Sequence, residues 1–336
     1  MNRNMKRWLA DMISSPIKKA MPVLSFPAVQ LLGVSVEELI RDSGVQARGM
    51  QAVAERVPSA ASVSLMDLSV EAECFGSAIR FSDSEVPMVT GSVVGSLADA
   101  QALRVPEVGE GRTRVYIDAL RKAAAAIADR PVLAGVIGPY SLAGRLMDVT
   151  EIMYACYDEP ETVHAVLEKV TAFQIAYCRA YRDAGANGVL LAEPLAGLLT
   201  PALCAEFSCA YVQRIVQAVQ TDTFAVIYHN CGNATWAMTG EILSTGAAAF
   251  HFGNAVSMAG MLAKMPAGTV CMGNIDPAGQ FRNGTPASIR EATLALLAQC
   301  GGHPNFVISS GCDIPPASKW ENIDAFFAAV ASYYGK

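Results

Sequence analysis

The chain has 336 residues, 52% of them hydrophobic and only 17% charged, with a net charge of −6 at neutral pH. That composition excludes disorder, and the lack of any Lys/Arg cluster excludes nucleic acid as the main partner. The longest apolar runs, such as Ala247-Ala248-Ala249-Phe250, fall far short of the ~20 residues a bilayer span needs, so no membrane segment is expected.

A basic start, Met1 to Trp8, gives way to residues broken by Asp11, Pro16, Lys18 and Lys19, which is not the pattern of a signal peptide. With no export signal, the nine cysteines read as reduced thiols of a cytoplasmic protein. A short helical start leads to a first strand over Pro22–Pro27, and Ser35 caps a helical pattern running to Asp42. A second strand is expected over Ser62–Met66, and residues 76–95 look like a small extended excursion. From Arg112 the cadence is regular. A helix runs to Asp129, a buried strand covers Pro131–Ile137, and a long helix from Glu159 ends at Asp183. Then come the strand Val189–Ala192, a helix from Thr200 to Val219 opened by Thr-Pro, and the strand Thr223–Tyr228. Helices at 235–245, 257–265, 286–299 and 319–334 alternate with strands at Ala247–Phe252, Thr269–Met272 and Phe306–Ser309.

Roughly eight strands alternating with helices predict one domain over residues 1–336, a (β/α)₈ barrel with an N-terminal helical and extended elaboration. A doubly wound open sheet is the alternative, but no Gly-x-Gly-x-x-Gly follows an early strand. In a barrel, polar residues at the C-terminal strand ends share one mouth, here Asp67, Glu193, His229, Cys231, Asn274, Asp276 and Cys312. His229 and Cys231, two positions apart on extended backbone, point the same way. Cys312 ends another apolar run. Two thiolates and an imidazole suit Zn²⁺ and leave a fourth position open. A thiol bound there would lose its proton and stay nucleophilic, which is chemistry for alkyl transfer to sulfur, whereas hydrolytic zinc sites favour histidine and carboxylate. Glu193 is the candidate catalytic carboxylate, to fill the open position, orient a ligand or take the thiol proton; its other reading is as an acceptor for loop amides. Asp67 and Asp276 read as turn residues, His251 as a satisfied interior group, His164 and His303 as surface or loop residues, and the other seven cysteines as structural.

The stretches His229-Asn230-Cys231-Gly232, Met272-Gly273-Asn274-Ile275-Asp276-Pro277 and Ser310-Gly311-Cys312-Asp313-Ile314-Pro315 resemble the uroporphyrinogen decarboxylase superfamily, and within it the corrinoid-dependent methyltransferase branch. Val70-Glu71-Ala72-Glu73-Cys74-Phe75-Gly76 and Ala192-Glu193-Pro194 extend the likeness. The resemblance implies zinc on His229, Cys231 and Cys312. It also implies transfer of a methyl group from a methylcorrinoid (cobalamin), carried by a separate corrinoid protein, to a small-molecule acceptor. Coenzyme M is the favoured thiol acceptor and tetrahydrofolate the other. Relatives often carry Asp where Glu193 stands. The decarboxylases' Arg-Gln-Ala-Gly-Arg-Tyr motif, which holds porphyrinogen carboxylates, has no counterpart near Ser25-Phe26-Pro27-Ala28. The alternatives are a decarboxylase or lyase acting on another acid, and a non-catalytic corrinoid-binding barrel.

Overall fold

The computed structural model describes residues 3–335. The first strand, β1 (Ser62–Val63), is followed by a hairpin of β2 (Ala78–Arg80) and β3 (Met88–Thr90). Then come β4 (Val132–Ile137), β5 (Gly188–Ala192), β6 (Ala225–Asn230), β7 (Ala249–Phe252), β8 (Val270–Ile275) and β9 (Phe306–Ser310). Apart from the hairpin, the strands form one parallel sheet in the order β1-β4-β5-β6-β7-β8-β9. Helices bridge successive strands, as parallel neighbours require.

Side chains alternate across the sheet, and each face has its own core. Leu133, Leu190, Ile227, Val270 and Val307 cluster on the inner face with Met5 and Leu9 of the helix Met5–Ser14. Val136, Val189, Leu191, Val226, Phe250 and Ile308 pack outward against the helices. Burial on both faces explains why β4, β5, β6 and β9 read as continuous apolar runs. The sheet is curled, and residues 20–23 lie between its two edges. Met21 N donates to Ile308 O of β9 at 3.0 Å, and Ala20 O accepts from Ala60 N, just ahead of β1, at 2.8 Å.

Seven parallel strands are regular, against the eight expected. The strand expected over Pro22–Pro27 is instead an extended segment without regular ladder bonds. Pro22 has no N–H to give, and Val23 N donates to the side chain of Ser310 at 3.0 Å. By Ala28 the chain has already entered the helix Ala28–Leu32. The excursion at 76–95 is the antiparallel hairpin. Helices that were not expected include Ser43–Arg56, Pro139–Met147 and Val149–Asp158. Among the described residues no helix is long and apolar enough to cross a membrane.

Candidate metal centre

β6 ends on His229 and Asn230, and the backbone stays extended long enough for Cys231 to turn to the same side. Asn230 fixes the exit. Its Oδ1 accepts from Gly232 N at 2.9 Å and from Thr235 Oγ1 at 2.8 Å, while its Nδ2 donates to Tyr228 Oη at 3.1 Å. Cys231 has room because residue 253 is glycine: a Cβ there would lie 2.4 Å from the Cys231 Cβ. Asn274, at the end of β8, donates to Gly253 O at 2.9 Å and Val256 O at 2.8 Å, which holds that loop in place. Cys312 arrives two residues beyond β9, after Gly311 N has extended the ladder to Ile275 O at 2.6 Å.

These elements bring together His229, Cys231 and Cys312, whose ligand atoms all lie within 4.8 Å of one another. A tetrahedral zinc with bonds of about 2.0–2.3 Å would space its ligands about 3.5 Å apart, so the group needs only a small closure to share one ion.

The histidine is oriented for this by a relay of hydrogen bonds. Ser309 Oγ donates to Met21 O at 2.7 Å, so its lone pairs face His251 Nε2, also at 2.7 Å, and accept that N–H. Burial holds His251 neutral, with its pKa well below the ordinary histidine value, and a neutral ring with a proton on Nε2 has a bare Nδ1. That nitrogen lies 2.7 Å from His229 Nδ1, which must therefore carry the hydrogen, with His251 O at 3.3 Å as a second acceptor. The lone pair of His229 is left on Nε2, a buried atom without a hydrogen-bond partner. An orphaned, correctly tautomerised imidazole nitrogen beside two thiols is what a zinc site looks like from the protein side.

The sulfurs add to the fit. Cys231 and Cys312 share a hydrogen bond that lowers the pKa of Cys231 and, together with burial, pushes Cys312 up to about 12. The two thiols are thus pushed apart in acidity, and a bound cation would favour both as thiolates. All nine cysteines are free; those at 156, 178, 204, 209, 271 and 300 are buried, Cys74 partly so, and none of these joins the group.

Glu193 lies outside the group of three. It is fully buried at the end of β5, where its Oε1 accepts from Tyr140 N at 2.9 Å and its Oε2 from Ser141 N at 3.0 Å and Ser141 Oγ at 2.8 Å. Those are the first free amides of the helix Pro139–Met147, so the carboxylate caps a helix dipole. Burial still raises its pKa to about 7. Asp276 caps the turn after β8, accepting from Ala278 N and Gly279 N at 2.9 Å each. His251 is the satisfied interior group expected, and His164 sits at the surface between Tyr211 and Glu206.

Asp67 does more than shape a turn. It is buried against Arg112 and accepts from Tyr116 Oη at 2.8 Å; Arg112 also binds Glu73 at 2.5 Å and Ser69 Oγ at 2.7 Å. Neither Arg112 nor the relay role of His251 was foreseen. The apolar alternation Phe250-His251-Phe252 was the one clue that this histidine faces inward.

A family model described as Uroporphyrinogen decarboxylase (URO-D) matches residues 15–333. A uroporphyrinogen decarboxylase of Ectopseudomonas mendocina is 29% identical over 281 residues, 80% of this chain and 78% of its own length. The methylcobamide:CoM methyltransferase MtbA of Methanosarcina acetivorans is 25% identical over 298 residues, 88% of this chain and 83% of its own. Among solved structures, a methyltransferase from Methanosarcina mazei superposes with a TM-score of 0.86 at 23% identity, covering 98% of each chain. A B12-independent methionine synthase from Shewanella superposes at 0.66 and 11% identity, covering 95% of this chain and 96% of its own.

Proposed function

This chain belongs to the uroporphyrinogen decarboxylase (URO-D) family, and from that membership we propose that it is a zinc-dependent methyltransferase of the corrinoid-dependent branch. It takes a methyl group from a methylcorrinoid on a partner protein and passes it to a small thiol of the coenzyme M kind, or to tetrahydrofolate. The observation that carries this reading is the convergence of His229, Cys231 and Cys312 with a lone-pair nitrogen facing the two sulfurs. The likeness to a methylcobamide:CoM methyltransferase and the lack of an arginine motif near Ser25-Phe26-Pro27-Ala28 favour methyl transfer over porphyrinogen decarboxylation. In this reading the whole chain is one domain, and residues 20–23 serve as the eighth stave of a (β/α)₈ barrel.

His229 Nε2 and the sulfurs of Cys231 and Cys312 would hold the ion, and zinc there would keep an acceptor thiol as its thiolate at neutral pH. The protein's own part is orientation. Ser309 and His251 keep the His229 lone pair aimed at the site. Asn230 and Asn274 hold the loops that carry Cys231 and Gly253, so the acceptor sulfur is presented at a fixed point of the mouth, where a partner's methyl group can reach it. Glu193 pins the start of the helix Pro139–Met147 against β5 and so shapes the wall of that mouth.

The test is turnover of methylcobalamin by the purified zinc-loaded protein with a panel of thiols and tetrahydrofolate. Demethylation that needs an acceptor and is lost in Cys312→Ala supports the reading. Complexes without demethylation, or activity indifferent to Cys312→Ala, overturn it.

A further inference from the structure

A cavity of about 280 Å³ lies at the end of the sheet where the strands begin, remote from His229, Cys231 and Cys312. Ala60 and Pro131, on its floor, stand just ahead of β1 and β4. Its other wall is the start of the chain, from Arg3 through the helix Met5–Ser14 to Lys19.

Four cations and two acids line it: Arg3, Lys18, Lys19 and Arg130 against Asp11 and Asp129. Arg130 and Asp129 neutralise each other. The guanidinium holds both carboxylate oxygens at 2.7–3.1 Å and donates to Val57 O at 2.6 Å. These hydrogen bonds, with a weaker pull from Lys19, keep Asp129 below the ordinary carboxylate pKa. Asp11 is exposed and pairs loosely with Arg7, at 3.9 Å. Among the described residues, Arg3, Lys18 and Lys19 make no ion pair.

Lys18 is the informative one, because it is only 9% exposed. Its Nζ donates to two backbone carbonyls, Met12 O and Pro304 O, at 2.5 Å each. An ammonium has three N–H groups, so one donor is left over, and carbonyl dipoles do not cancel a full charge. Burial accordingly lowers its pKa. A buried cation without a counterion is costly, and an anion in the adjoining cavity would relieve that cost. Arg3 spends one donor on Ala128 O and keeps the rest, and the Lys19 ammonium makes no hydrogen bond with any described residue. Beside these cations the half-buried Trp8 supplies a flat apolar wall, continued by Ile17, which is 63% exposed.

We propose that this cavity binds a phosphate monoester carried on a planar ring, the chemistry of a mononucleotide. Such a phosphate brings a charge of about −1.5 to −2 at neutral pH, enough to answer Lys18, Lys19 and Arg3 together, where a carboxylate brings only one. Ammonium and guanidinium are the usual donors to phosphate oxygens, and the Trp8 indole offers a face on which the ring stacks. The volume sits at the small end of the roughly 300–1,000 Å³ range of ligand sites, which suits one phosphate and a compact ring system rather than a dinucleotide. The inference uses none of the three candidate metal ligands, and it stands whether or not the chain transfers methyl groups.

The experiment is calorimetric titration of the full chain with adenosine monophosphate, phenyl phosphate, inorganic phosphate and neutral adenosine. The tighter of the two ring phosphates should bind at least about 10-fold more tightly than inorganic phosphate or adenosine, since it alone engages both the cations and Trp8. Added salt should weaken that binding. Arg3 and Lys19 lie outside the helices and strands, so the double variant Arg3→Ala/Lys19→Ala should fold and lose affinity about 10-fold or more. Lys18→Gln keeps an amide for the carbonyls but removes the charge, and should lose as much. Trp8→Leu should bring the ring phosphate down to the affinity of inorganic phosphate. A wild type that binds neither ring phosphate at millimolar concentration, or binds adenosine or inorganic phosphate equally well, overturns the inference. So does a double variant of native circular dichroism that keeps wild-type affinity.

Discussion

Replacing His251 dissects the relay that aims His229, because its two nitrogens have separate duties. Nδ1 accepts from His229 and Nε2 donates to Ser309, each at 2.7 Å. His251→Phe removes both duties at similar size and strands His229 Nδ1–H with only the 3.3 Å contact to His251 O. Loss of such an outer partner lowers metal affinity about 10- to 100-fold, or about 1.4–2.7 kcal/mol. His251→Asn places an amide oxygen near the Nδ1 position and should keep most of the affinity; His251→Gln reaches toward Ser309 instead and should lose it. Zinc affinity is measured by competition with a chromophoric chelator, and melting of the metal-free proteins controls for packing. If the glutamine variant binds zinc as tightly as the asparagine variant, or the phenylalanine variant matches wild type, the tautomer argument is wrong.

Two further predictions concern the scaffold. Arg112→Met should cost about 3–5 kcal/mol in urea unfolding, because it leaves the buried Asp67 without its cation; adding Asp67→Asn should return part of the loss, and a single variant within 1 kcal/mol of wild type would show the pair to be dispensable. Glu71 is buried and its pKa is raised to about 8 by desolvation, so the folded state holds a proton that the unfolded chain releases near the ordinary carboxylate value. The stability it contributes is present below that value and lost as the pH rises through about 8. Glu71→Gln should flatten the decline of the urea midpoint between pH 5 and 8, and an unchanged slope would assign that decline to other groups.

The strands β4, β5, β6 and β9 were legible because burial on both faces leaves little besides Val, Ile, Leu, Ala and Phe. The helix Ser43–Arg56 was not, because Gly44, Gln46 and Gly49 disguise it: Gly49 serves close packing, with a Cβ there only 3.1 Å from Ala28. Asp42 reads as the end of one helix when it also caps the next through Gly44 N and Val45 N. In the same way Gly138-Pro139 reads as a strand end when the proline opens a helix. Only the short His-x-Cys spacing and a thiol after a strand announce the three-residue group. The groups that complete its surroundings, His251 and Ser309, come from β7 and β9, and no spacing marks them.

The most direct measurement is the metal content of the purified protein together with X-ray absorption at the zinc edge. One zinc per chain, with two sulfur neighbours near about 2.3 Å and one nitrogen near about 2.0 Å, is the predicted result, and Cys312→Ala should reduce the sulfur count to one. A protein that takes up no zinc, or binds it with no sulfur neighbour, would contradict the account at its centre.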